Sequence, residues 1–281
     1  MASETRTPYL FVGGSQRSGT NLTNTLLCQD PATNPMLHEA KYLSRTMSTY
    51  AWARRQLPVN TLDYFGDQEG LDRFHRSLLG TLLEQTRARH GGAPTLVLKD
   101  PELTPYFPLL HRLLPESRFV CMLRDPRDTI ASMIKVGRRQ AESGVENPLF
   151  ADWDIPRLCR HYLSFYGAVL GGTTVAFRRR LLLISYEGLV SDPDRVLARL
   201  RDFTGLRLAV DPCQERLDTG GLDYAAASPN WRPWITEHYG RGVSRASLGR
   251  YAEVLDPQQV AVIEAECAPL MRLGRYTGSA G

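Results

Sequence analysis

The 281-residue chain carries a formal net charge of +4 and is 42% hydrophobic and 23% charged, ordinary globular values that exclude a disordered, collagenous or coiled-coil chain. No apolar run approaches the ~18 residues of a membrane span; Leu163–Phe177 comes closest, with Tyr, Ser, Gly and Thr inside it. The basic excess is slight and scattered, without an aromatic-interleaved tract, which argues against a nucleic-acid partner.

Met1 to Thr7 is polar and lacks an apolar signal core. Tyr9–Val12 is a short apolar run ending in Gly13-Gly14, the pattern of a buried strand entering a glycine turn. A helix is predicted over Ser18–Cys28, a second strand over Pro35–His38, and helices over Ala40–Gln56 and Leu71–His90. Thr95–Lys99 reads as the third strand, Pro105–Leu114 as a helix and Arg118–Leu123 as the fourth strand. Helices follow over Arg127–Arg139 and Pro156–Arg180, then a fifth strand over Leu181–Ser185 and a helix over Asp194–Thr204. Residues 211–245 are rich in Gly, Pro, Asp and Trp and read as a long loop, in which Trp231 and Trp234 could line an acceptor pocket or close the fold. The final helix is predicted over Pro257–Leu273. Short, wholly apolar strands separated by helices predict an α/β fold, a parallel β-sheet flanked by helices. No repeat or linker divides residues 1–281, so a single domain is expected.

The basic residues divide into 31 Arg and 3 Lys. The skew reads as codon bias of a GC-rich genome more than as selection of Arg for binding phosphate and carboxylate, and a Lys that persists in such a chain gains interest. The five cysteines at 28, 121, 159, 213 and 267 are widely spaced, with no CxxC pair. They fit reduced thiols of a cytoplasmic protein and give no sign of a metal site.

Gly14-Ser-Gln-Arg-Ser-Gly-Thr-Asn21 lies between the first strand and the first helix. In an α/β sheet ligands bind at such a turn, where free N–H groups and the helix dipole attract anions. Gly14 and Gly19 match the glycines of the phosphate loop G-x-x-x-x-G-K-[ST], but Thr20 replaces its Lys and Asn21 its magnesium-binding hydroxyl. The cation is Arg17 instead. A phosphate-like group of lower charge, handled without metal, suits this loop; a sulfuryl group on a nucleotide has one negative charge fewer than a terminal phosphoryl. Taken alone, the loop could also be a plain strand–turn–helix corner. Arg124-Asp-Pro-Arg-Asp-Thr-Ile-Ala-Ser132 opens a helix after the fourth strand, placing an Arg fork and a hydroxyl where they could hold a phosphate monoester.

With both motifs, the chain resembles the sulfotransferases that use 3′-phosphoadenosine 5′-phosphosulfate (PAPS), over about residues 9–205. The resemblance implies a P-loop-like sulfotransferase fold. It implies that Arg17, Ser18, Gly19, Thr20 and Asn21 hold the 5′-phosphosulfate, that Arg124 and Ser132 hold the 3′-phosphate, and that Tyr186 of Tyr186-Glu187 positions the nucleotide. In the same family a Gly- and Lys/Arg-bearing loop lies near the 3′-phosphate, which points to Arg241 and Gly242 of Gly240–Ser244.

In motif the chain is most similar to tyrosylprotein sulfotransferases. Leu37-His-Glu-Ala-Lys41 matches their G-E-E-T-R segment, making Glu39 the catalytic base. Lys41 and Arg45 match positions that contact an acidic acceptor. Leu98-Lys-Asp-Pro101 matches C-K-D-P, making Lys99 the catalytic lysine. Leu37 and Leu98 stand where that family pairs two cysteines, which implies a reduced version. His38 and Glu102 are rival bases, and Pro101 occupies the place of the histidine base of cytosolic sulfotransferases.

The expected reaction is in-line sulfuryl transfer from PAPS to a hydroxyl of a natural product or small molecule, without metal. Glu39 would take the proton, while Arg17, Lys99 and the loop amides would stabilise developing charge. Tyrosine O-sulfation of an acidic peptide is the alternative acceptor, and Lys41 and Arg45 point to negative charge near the hydroxyl. Outside this class stand a P-loop phosphotransferase and a non-catalytic nucleotide-binding protein.

Overall fold

The computed structural model describes residues 7–147, 149–150, 153–171, 173–208, 211, 214, 234–235 and 241–276. Four parallel strands form one sheet: β1 (Tyr9–Gly14), β2 (Leu96–Lys99), β3 (Arg118–Leu123) and β4 (Leu181–Ser185), in the order β2-β1-β3-β4. The flanking helices are α1 (Thr20–Leu27), α2 (Lys41–Gln56), α3 (Gln68–Arg89), α4 (Phe107–Leu113), α5 (Pro126–Glu142), α6 (Ile155–Ser164), α7 (Tyr186–Ser191), α8 (Pro193–Thr204), α9 (Pro257–Glu266) and α10 (Ala268–Gly274). Shorter helical pieces lie between them. Among the described residues no helix is long and apolar enough to cross a membrane.

The strands are apolar throughout because both faces of the sheet are covered. Side chains alternate between the faces along each strand. Leu10 and Val12 of β1 join Val97, Val120, Met122 and Ile184 under α1, α7 and α8, through Leu26, Leu27, Leu189, Leu197 and Leu200. Tyr9 and Phe11 join Leu98, Phe119 and Cys121 on the other face, packed by Met47, Leu79, Phe107, Leu158 and Ile263.

Chain order sets the place of the crevice. From β1 the chain crosses to β2 on one side and then to β3 on the other. The carboxyl ends of β1 and β3 therefore border the gap where parallel sheets bind ligands.

Three elements differ from expectation. Pro35–His38 forms no strand; just before it, Thr33 makes an isolated parallel bridge to Thr95. The buried Asn34 amide takes the place of backbone there. Its Nδ2 donates to the Val97 carbonyl at 3.0 Å and its Oδ1 accepts from the Val97 N–H at 2.6 Å. A proline at the next position has no N–H to continue a ladder, and the side chain closes the edge of β2 instead. The helix expected over Pro156–Arg180 is three pieces, Ile155–Ser164, Gly167–Leu170 and Val175–Arg178. Gly171 is extended and Thr174 starts a new helix by accepting from the Phe177 N–H. The last helix divides at Cys267 into α9 and α10, with Pro269 at the start of the second. Cys28, Cys121, Cys159 and Cys267 are free thiols; Cys213 lies outside the described residues.

Candidate active site

The β1–α1 turn is shaped by two glycines. Gly14 has φ 129° and Gly19 φ 98°, conformations that side chains rarely adopt. A Cβ at Gly14 would collide with the Met122 carbonyl, and one at Gly19 with the Tyr186 ring. Arg17 also takes a positive φ, 67°. The turn is pinned from behind: Gly14 N–H donates to Thr104 Oγ1 (2.7 Å), Ser15 N–H to the Tyr166 hydroxyl (3.0 Å), and Ser18 Oγ to the Ser15 carbonyl (2.6 Å). No side chain caps α1, so its leading N–H groups face the crevice.

A cavity of about 560 Å³ opens here, within the range of small-ligand sites. Of the expected nucleotide residues, Arg17, Gly19, Thr20, Asn21, Arg124, Ser132, Tyr186 and Gly242 line it. Ser18 is wholly buried and serves the turn instead. Arg241 is exposed and off the wall. Gly240 and Trp231 lie outside the described residues. Trp234 lies on the wall, packs on Phe150 and accepts from Arg17 Nη1 at 2.9 Å.

Arg17 and Ser132 are joined directly, Nε to Oγ at 3.2 Å, so the two motifs form one site. Burial, followed by the charges of Arg124 and Arg139, pulls the Arg17 guanidinium down to about 10. Arg124 lies over the Tyr186 ring at 4.5 Å and donates to the carbonyls of Arg17 (3.0 Å) and Ser247 (2.7 Å). Its buried Nε makes no hydrogen bond in the chain. Tyr186 shares a 2.6 Å hydrogen bond with Ser247 Oγ. Glu187 has a supporting place: Oε1 accepts from Asp125 N–H and Oε2 from the Tyr276 hydroxyl, both at 2.9 Å.

Some lining residues escaped the sequence reading. Asp128, Lys135 and Arg139 share the face of α5 that carries the expected Ser132, and Ser247 and Arg250 close over it. The α5 set was detectable, because spacings of four, three and four residues from Asp128 keep to one side of a helix. The later segment was not, because its approach depends on tertiary hydrogen bonds: Asp128 accepts from Gly249 N–H (2.8 Å) and Tyr251 N–H (3.0 Å).

Glu39, Lys99, Lys41 and Arg45 form a second group beside the turn, off the wall of this cavity. Lys99 ends β2 and pairs in register with Val12, and its carbonyl accepts from Ala40 N–H at 3.0 Å. Lys99 Nζ reaches Glu39 Oε1 at 2.7 Å, and Lys41 Nζ reaches Glu39 Oε2 at 3.1 Å. Burial opposes the Glu39 charge, but Lys99 and Lys41 outweigh it and hold the carboxyl below its usual range. Of the rival bases, Glu102 is ion-paired to Lys41 at 3.2 Å. His38 is exposed, and Glu39 rather than His38 accepts from both lysines.

A family model described as "Sulfotransferase family" matches residues 8–210. Protein-tyrosine sulfotransferase 2 of Gallus gallus is 27% identical over 201 residues, 71% of this chain and 51% of that protein. Protein-tyrosine sulfotransferase 1 of Homo sapiens is 33% identical over 130 residues, 45% of this chain and 34% of that protein. The chain thus spans about half or less of the length of these curated relatives. In fold, it is similar to the sulfotransferase domain from the curacin biosynthetic pathway (TM-score 0.56, 19% identity, 96% and 98% of the two chains). A mouse sulfotransferase complexed with PAP aligns with TM-score 0.50 at 14% identity, over 99% and 95% of the two chains.

Proposed function

The chain belongs to the sulfotransferase family, and from that premise we propose that it moves a sulfuryl group from PAPS to a hydroxyl of a natural product or other small molecule. The observation that carries this reading is one cavity lined by both Arg17 and Arg124, in which Arg17 also reaches Ser132 at 3.2 Å. A double-ended anionic nucleotide fits such a donor set. Arg17, Gly19, Thr20 and Asn21 would hold its 5′ end, Arg124 and Ser132 its 3′-phosphate, and Tyr186 would position it. Gly242, which lines the cavity, would approach the 3′-phosphate from the later segment. PAPS supplies the activated sulfuryl group.

The chain's own residues then divide the work. Glu39 would accept the proton of the acceptor hydroxyl. Arg17, Lys99 and the N–H groups at the start of α1 would offset negative charge that grows in a loose, in-line transfer. Lys41 and Arg45 would border the acceptor. Tyrosine O-sulfation is the second reading, favoured by the names of the curated relatives.

Incubation with PAPS and a panel of phenols, alcohols and tyrosine peptides, followed by release of 3′-phosphoadenosine 5′-phosphate (PAP), tests the reading. PAP release that persists in EDTA is expected. Turnover of ATP with strict Mg²⁺ dependence, and none of PAPS, would instead mark a phosphotransferase. Binding of PAP without turnover across the panel would mark a non-catalytic nucleotide-binding protein.

A further inference from the structure

The acceptor side carries a carboxylate, Glu102, that the family motifs do not account for. Pro101–Tyr106 is a 3₁₀ turn begun by Asp100, whose side chain accepts from the Glu102 N–H at 3.0 Å. This cap aims two carboxylates at the start of α2. Lys41 Nζ lies 3.1 Å from Asp100 Oδ1 and 3.2 Å from Glu102 Oε1, in addition to its contact with Glu39. Arg45, one helical turn on, lies 3.5 Å from Glu102 Oε2. Glu102 thus spans both cations, one oxygen to each. Lys41, Arg45 and Lys99 stand against Glu39, Asp100 and Glu102, three charges against three.

The Lys41 and Glu102 side chains are 36% and 34% exposed, so both are reachable from solvent, with Lys41 also in contact with Glu39. A carboxylate arriving with the acceptor would meet cations already paired and a fixed carboxylate of like charge. Like-charge contact in a partly desolvated site works against a wrong partner. We propose that Glu102 is a specificity-determining residue. It occupies Lys41 and Arg45 and sets the site against acidic acceptors, so that the reacting hydroxyl is carried by a molecule uncharged around it. This inference rests on the reading of Glu39 and Lys99 as the reaction centre and narrows its acceptor.

Two tyrosine peptides of equal length, one flanked by Glu and the other by Gln, are titrated into the protein with and without PAP. The wild type is expected to bind the Glu peptide no tighter than the Gln peptide. Glu102→Gln should raise the Glu-to-Gln affinity ratio about three- to tenfold, the scale of a half-exposed charge contact. Glu102→Ala should move it the same way. A wild-type preference of about tenfold or more for the Glu peptide, or no gain in Glu-peptide binding by either variant, would overturn the proposal. Failure of PAP to bind would strike the sulfotransferase reading, whereas an unmoved ratio strikes only the role of Glu102.

Discussion

Glu39 is held at both carboxylate oxygens, by Lys99 at 2.7 Å and Lys41 at 3.1 Å. Two cations lower its basicity and at the same time fix its direction. In a loose transfer the acceptor proton leaves late, so orientation matters more than strength in the ground state. Glu39→Gln should lower kcat by about 100-fold or more while PAP affinity stays near wild type, as PAP release and calorimetry would show. Because burial is outweighed by the two lysines, the base form is lost only as pH falls through a lowered pKa. The acid limb of kcat/KM should therefore lie below that of an ordinary glutamate, and Lys41→Gln should move it upward. At the other site, Arg124→Ala should weaken PAP about 10- to 100-fold, the scale of a charge-assisted hydrogen bond. Adenosine 5′-phosphosulfate, which has no 3′-phosphate, should lose much less; equal loss for both ligands would remove Arg124 from the 3′ end.

At the scale of elements, α5 acts as one wall. Asp125 caps its start, accepting from Arg127 N–H at 2.9 Å, and its inward face presents Ser132, Lys135 and Arg139 to the cavity. Lys135 is one of three lysines in an arginine-rich chain, and its place on that wall gives it a reason. It is half-exposed and shares Glu253 at 3.3 Å, so Lys135→Gln should weaken PAP by only about threefold and flatten the dependence of affinity on salt. Asn34 shows how an element can be replaced by a side chain. Asn34→Ala leaves the Val97 N–H and carbonyl without those partners and should lower unfolding stability by about 1–3 kcal/mol in urea denaturation. The motifs that bear on the site were readable because they sit at junctions with local rules: a glycine where φ is positive, an Asp at a helix start, an apolar run that ends. The strand expected at Pro35–His38 and the long helix at Pro156–Arg180 were misread because hydrophobic character alone does not tell a strand from a loop, nor one helix from three.

At the scale of the molecule, the sheet holds the two anion-binding junctions together. β1 and β3 are neighbours, paired from Leu10 with Arg118 to Gly14 with Met122, so the turn after each opens into one crevice. PAP at about 100 times its Kd should stabilise the fold by about 2.7 kcal/mol, seen as a rise in melting temperature that Arg124→Ala reduces at the same ligand concentration. The amino-acid sequence by itself determined the α/β class, β3 and β4 at their observed bounds, and the Arg17 and Arg124 motifs, because local spacing and turn chemistry specify these. Only the tertiary structure decided that Arg17 reaches Ser132, that Lys135, Ser247 and Arg250 share their cavity, and that Glu102 occupies Lys41 and Arg45. Those contacts join residues far apart in the chain, and which charge meets which depends on how helices and turns settle on the sheet, a packing outcome that no local pattern encodes.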